Sequence, residues 1–213
     1  MGKTQLFFLL ISIVLAGCSN VYYSTMESLG IHKRDILVDR VEAARDSQKE
    51  AKEEFVSALE RFSKVVNFQG GDLEEKYNEL NSELSHLEKR ARDVHDRIEG
   101  VEDVAEALFD EWEDELDQYN SERLRRASAR KLQQTRRRYK QLITAMKRAE
   151  SKIDPVLNTL RDQVLFLKHN LNAMAIASLK SELTQVETDV SKLVKDMERS
   201  IDEANAFLDT LRQ

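Results

Sequence analysis

The chain has 213 residues, 33 basic and 39 acidic side chains, and a formal net charge of −6. One Pro and six Gly are too few turn residues for a sheet-rich fold, and a single Cys excludes a disulfide framework. Charged residues make up 34%, aromatics 7% and hydrophobic residues 41%. The hydrophobic residues recur periodically, which excludes a disordered chain and leaves an all-α protein of long helices.

Residues 1–17 read as an address. Lys3 gives a positive start, and Leu6 to Leu15 is an apolar run interrupted only by Ser12. Such a run spans about 15 Å as helix, short of the roughly 30 Å of a bilayer core. This is the pattern of a secretory signal. The run ends in Leu15-Ala16-Gly17-Cys18, which resembles the bacterial lipobox. The resemblance implies cleavage before Cys18, a diacylglycerol on its thiol and acylation of the new amino terminus. Two or more acyl chains anchor a protein stably, where one does not. Ser19, in place of an Asp, implies sorting to the outer membrane of a Gram-negative envelope, facing the periplasm. The plainer reading makes Cys18 a small free thiol at the end of an ordinary signal. An anchored protein outside the cytoplasm meets no ATP pool and no chromosome, so no nucleic-acid partner is expected.

Residues 18–30 form the anchor and its lead-in, with Tyr22 and Tyr23 placed for a membrane interface or a plain linker. Gly30 ends a first turn or marks a bend. Residues 31–213 read as one helical domain. Its first stripe is Leu37, Val41, Ala44, Gln48, Ala51, Phe55, Ala58, Phe62 and Val65, at a period near 3.5. A break follows at 68–71, where Gly70-Gly71 stops the helix and Asp72 is a good N-cap for the next.

The second stripe passes through Leu73, Tyr77, Leu80, Leu84, Leu87, Ala91, Val94, Ile98, Val101, Ala105, Leu108 and Trp112. A seven-residue repeat held this long predicts coiled-coil packing with a left-handed supercoil. Gly100 lies within it at a cost of about 1 kcal/mol relative to Ala. Trp112 belongs at the core near a bundle end.

A turn is predicted at 119–121 with Ser121 as N-cap. From Glu102 to Glu122 there are ten acidic residues and no basic one; from Arg123 to Ala149 there are eleven basic and no acidic. Folding back at the sign change sets Asp117 near Arg125, Asp110 near Lys131 and Asp103 near Arg138. Each exposed pair contributes only about 0–1 kcal/mol, so the pattern acts on register and partner choice.

The third stripe runs Leu132, Thr135, Tyr139, Leu142, Met146, Ala149, Ile153, Val156 and Leu160, then slips to Val164, Leu167 and Leu171. Its phase runs through Pro155, which favours a kinked continuation. A new helix with Asp154 as N-cap and Pro155 first is the alternative. A turn at 169–172 precedes the last stripe, Leu179, Leu183, Val186, Val190, Leu193, Met197, Ile201, Ala204, Leu208 and Leu211. Four segments of similar length with short turns predict an elongated antiparallel coiled-coil bundle, up-down-up-down.

Motifs for chemistry are sparse. No Gly cluster precedes a Lys-Ser or Lys-Thr, so no phosphate loop is expected. Ser128-Ala129-Arg130-Lys131 has Ser-x-x-Lys spacing without its partner motifs. Glu83-x-x-His86 offers one half of a di-metal pattern that needs two; His86 and His95 read as solvated flank residues. No catalytic residue, cofactor, metal or small-molecule substrate is expected. The basic stretch Arg123–Arg148, with Arg136-Arg137-Arg138 at its centre, suits an anionic lipid or polysaccharide. The competing reading is a zipper with the acidic stretch before it, although three successive Arg cannot all face one neighbour.

Tyr22-Tyr23-Ser24-Thr25-Met26-Glu27, Gly30-Ile31-His32-Lys33-Arg34-Asp35 and Gln163-Val164-Leu165-Phe166-Leu167-Lys168-His169-Asn170-Leu171-Asn172 resemble a bacterial domain-of-unknown-function family, numbered 2959. The resemblance covers nearly all of the chain after the signal and implies no activity. The expected function is that of a non-enzymatic, lipid-anchored envelope scaffold, spacer or adaptor, working through helix faces. Its partner is an envelope protein or a second copy. The alternative is a binder of anionic envelope lipid or polysaccharide through Arg136, Arg137 and Arg138.

Overall fold

The computed structural model describes Met26 and residues 30–66, 73–170 and 173–212. Residues 1–17, Cys18, Ser19, the tyrosine pair, Gly70-Gly71, Asp72 and Leu171-Asn172 lie outside the described residues. Helix α1 is Lys33–Val66, α2 Leu73–Glu115, α3 Glu122–Glu150, α4 Ile153–His169 and α5 Ala173–Arg212. A 3-10 turn, Leu116–Gln118, extends α2.

The entry into α1 is built by Gly30. Its φ of +83° is the left-handed conformation that glycine adopts without strain. Ile31 N–H donates to the Met26 carbonyl at 3.0 Å. The His32 carbonyl then accepts from Asp35 and Ile36 N–H, starting α1. At the other predicted cap, Ser121 Oγ accepts from Leu124 N–H at 3.5 Å, and α3 begins there.

The four stripes meet in one core. All nine predicted positions of α1 are buried, Gln48 among them. On α2, Leu80, Leu84, Leu87, Val94, Ile98, Val101, Ala105 and Leu108 are buried, while Tyr77, Ala91 and Trp112 pack half-buried at its edge. Cross-helix pairs fix the directions. Arg90 bonds Glu54 and Arg61 bonds Glu83, so α1 and α2 are antiparallel. Arg45 bonds Asn205 and Arg212 bonds Glu42, so α1 and α5 are too. Arg148 meets Asp196, and Arg161 meets Glu88. Thus α1 lies between α2 and α5, and the third side, α3 followed by α4, closes the bundle against the same two helices. The fold is the expected all-α, up-down-up-down bundle of four long sides.

The third side differs from a simple kink. Helix α3 ends at Glu150, and α4 starts at Ile153 after a two-residue turn. Ser151 and Lys152 keep right-handed helical dihedrals (φ −60°, ψ −11° and φ −92°, ψ −12°), so the stripe keeps its phase across the break. Pro155 is the third residue of α4, within the first turn, where a missing N–H loses no helical bond. Asp154 is inside α4 and does not cap it; Lys152 holds the cap position without a side-chain bond. The proline therefore starts a helix instead of bending one.

One layer of the core is polar. Gln48 of α1 and Ser200 of α5 are both 0% exposed. Ser200 Oγ donates to Gln48 Oε1 at 2.6 Å, and Gln48 Nε2 donates to the Met146 carbonyl of α3 at 3.5 Å. The periodicity had placed Ile201 in the core, yet Ile201 is only half-buried and Ser200 takes the inward position. Gln48 supplies the partner that makes burial of a hydroxyl tolerable.

Candidate functional site

The surface where function was expected is the α2–α3 hairpin. At its tip Trp112 Nε1 donates to Ser128 Oγ at 2.8 Å, which satisfies the indole as its half-buried position requires. Below it, Phe109 meets Tyr139 edge-on at 5.4 Å between ring centres, and Tyr139 reaches Phe207 of α5 at 6.3 Å. Burial pushes the Tyr139 phenol well up from its ordinary value, and Glu102, Glu106 and Asp103 push the same way.

The three arginines part company. Arg136 turns inward: its guanidinium bonds Glu113 at 2.7 Å, donates to the Phe109 carbonyl at 3.3 Å and sits 5.4 Å over the Phe109 ring. The hydrogen bond from Arg136 holds the Glu113 carboxyl below the usual carboxylate range. Arg137 and Arg138 are exposed. They line a shallow surface groove with Gln134 and Gln141, and Arg138 reaches Gln141 at 3.5 Å. The helical repeat enforces this division, because successive residues step by about 100° around the axis.

None of the three expected cross-hairpin pairs forms as a contact ion pair among the described residues. The pairs that join α2 to α3 among the described residues are Glu113–Arg136, Glu102–Lys147 and His95–Glu150, at 2.7, 2.6 and 2.6 Å. The reason is angular. Glu102 and Glu113 flank the buried Val101–Ala105–Leu108 stripe and face α3. Asp103 and Asp110 lie opposite the buried stripe, point away from the core and are exposed. Arg125 pairs instead with Glu122 on its own helix. Part of the opposite charge is displayed outward as two parallel stripes: Asp103, Glu106, Asp110 and Asp114 on α2, and Arg123, Arg130, Arg137 and Lys140 on α3. All eight are exposed and have no ion pair among the described residues. Sign blocks alone located the hairpin but missed these stripes; projecting each block on a helical wheel finds them.

The remaining candidates are scattered. Glu83 is taken by Arg61 and His86 is exposed, so the half-motif is not completed. No group of three or more His, Cys, Asp or Glu suited to a metal occurs among the described residues. His95 Nδ1 is 2.6 Å from Glu150, and Nε2 is 3.4 Å from Glu99. The hydrogen bond to Glu150 is the main cause that raises its pKa. Ser128, the first residue of the Ser-x-x-Lys match, is occupied by Trp112. An open depression of about 330 Å³ near the hairpin tip is lined by Arg34, Leu108, Trp112, Lys131 and Thr210, among others. No described helix is long and apolar enough to cross a membrane.

Neither a curated protein nor a solved structure matches the chain. A family model, described as a protein of unknown function (DUF2959), matches residues 22–211. That match spans all five helices, and the chain belongs to the DUF2959 family.

Proposed function

We propose that this protein is a non-enzymatic, lipid-anchored scaffold or spacer of the cell envelope, held by Cys18 in the outer membrane and facing the periplasm. The observation that carries the reading is the closure of the bundle. The core is filled from Ile36 and Leu211 at one end to Phe62 and Leu167 at the other, and the charged helix faces are left to do the work. A rod of this kind separates or aligns partners by its length; α2, with 43 residues, spans about 65 Å. The lipobox-like residues supply the address, and one anchored end gives the rod a fixed base.

The test is mass spectrometry of the amino-terminal peptide with membrane fractionation of the native chain and of Cys18→Ser. A diacylated, N-acylated Cys18 and loss of membrane association in C18S support the reading. An unmodified Cys18 in a soluble chain overturns the anchor. Turnover of a substrate by the purified protein, abolished by a point change, overturns the non-enzymatic part.

A second reading, binding of anionic envelope lipid or polysaccharide, is favoured by the exposed Arg137 and Arg138, which share their groove with no acidic side chain. Its mark is affinity that falls steeply with salt and is lost in R137E/R138E.

A further inference from the structure

We propose that two copies of this chain pair side by side and in parallel, the acidic stripe of α2 in each lying on the basic stripe of α3 in the other. The inference deepens the scaffold reading by naming the partner, but it stands on the two stripes alone and not on the anchor.

The stripes are neighbours on one face of the bundle. Glu102–Lys147 and Glu113–Arg136 tie α2 to α3, and the stripes run just outside those ties. Phe109 packs on Tyr139, so Glu106, one turn before Phe109, lies near the height of Lys140, and Asp103 lies one further turn from the tip, beside the Glu102–Lys147 tie. Arg136 reaches both the Phe109 carbonyl and Glu113, so Asp110, between them, lies at the level of Arg137, and Asp114 lies one turn nearer the tip, toward Arg130. Acid and base therefore stand at matching heights on two adjacent helices.

Symmetry decides the orientation. A two-fold axis parallel to the rods exchanges left and right when two such faces meet, so each acidic stripe falls on a basic one. A two-fold axis across the rods keeps left on left and sets acid on acid and base on base. Like charges placed opposite one another repel, so only the parallel arrangement survives. Parallel pairing puts the α1 starts of both copies at the same end, the arrangement that two rods based in one membrane need.

The same pattern disfavours a broad anionic surface as the occupant. Neighbouring helix axes are about 8–10 Å apart, close to one Debye length at physiological ionic strength. A flat anionic layer pressed on the α3 stripe also lies against the α2 carboxylates beside it and is repelled by them. A second copy presents the opposite sign to both stripes.

The test is sedimentation velocity of the full-length chain in mild detergent, with helicity followed by circular dichroism. The chain is taken from whichever fraction holds it, so failure of the anchor reading leaves this measurement intact. Wild type is expected to dimerise, with an association constant at least about tenfold weaker in 0.5 M than in 0.05 M salt as the screening length contracts. R130E/R137E/K140E has two acidic stripes, and D103K/E106K/D110K has two basic ones. Each alone is expected to be monomeric and helical, and an equimolar mixture is expected to restore the dimer. Energy transfer between labels at Asn120→Cys, in a Cys18→Ser chain, is expected to be high, because parallel rods bring their hairpin tips together.

A wild-type monomer at both salt concentrations overturns the proposal, as does undiminished self-association of either triple variant. Low energy transfer within a salt-sensitive dimer overturns the parallel arrangement. Binding of monomeric wild type to phosphatidylglycerol vesicles, lost in R130E/R137E/K140E, overturns it in favour of a lipid surface.

Discussion

The Gln48–Ser200 layer gives the most exacting test of the packing. Changing Ser200 to Ala removes the hydroxyl that donates to Gln48 Oε1 at 2.6 Å and leaves that oxygen with no other donor. Both residues are fully buried, so water does not replace the bond. The lost bond and the unpaired amide oxygen together cost about 1–3 kcal/mol. Gln48→Leu costs less, because the Ser200 hydroxyl can turn to the carbonyl one turn back on its own helix. The double variant Q48L/S200A fills the layer with apolar groups of nearly the same volume and leaves no orphan. It is expected to match or exceed wild type, giving a coupling of about 1–2 kcal/mol between the two positions. Urea unfolding followed by circular dichroism measures all four corners of the cycle. Single-variant effects that add to within about 0.5 kcal/mol would refute the claim that the two side chains depend on each other.

Other expectations follow from single positions. Gly100 lies mid-helix, and an added Cβ meets only the flexible Arg40 side chain, at 3.7 Å. Gly100→Ala is expected to raise stability by about 0.5–1 kcal/mol, and an unchanged or lower urea midpoint would contradict it. Ser47 Oγ is buried without a partner; Ser47→Ala is expected to gain about 1 kcal/mol, read as a higher Tm. Glu150 raises the His95 pKa in the folded state above its unfolded value near 6.5. Its stabilising effect is therefore complete below that value and fades as pH rises through the folded pKa. The pair is exposed, with 55% of the His95 side chain open to solvent, so the effect stays under about 1 kcal/mol. NMR titration of His95 should show the raised pKa, and His95→Gln should flatten the stability profile on the alkaline side.

The helices were legible because burial forces apolar residues to recur at the helical repeat. Leu37 to Val65, and Leu80 to Leu108, occupy the positions that spacing alone assigned. What spacing does not encode is which of two adjacent residues points inward when a polar partner waits across the core. That is why Ser200, and not Ile201, fills its layer. Pro155 was ambiguous for a related reason. Phase survives a two-residue break whose dihedrals stay helical, so a continuous stripe does not report a continuous hydrogen-bond ladder. The electrostatics were legible only as sign. The hairpin turn followed from the switch at Glu122–Arg123, but contact pairs depend on angular position around each helix. Asp103 and Asp110 belong to the right block and the wrong face.

An even number of antiparallel sides places the start of α1, the α2–α3 turn and the end of α5 at one end of the rod. A load hung on the opposite end and resisted at the start of α1 reaches its base by sliding each helix along its neighbours. It does not peel them apart turn by turn. Layers of interlocked side chains along the whole length then share the force at once. The same rod pulled sideways at the α3–α4 break, where Ser151 and Lys152 interrupt the third side, gives way locally. Stiffness along the axis and compliance across it thus arise from one topology, and the break fixes where along the rod it bends.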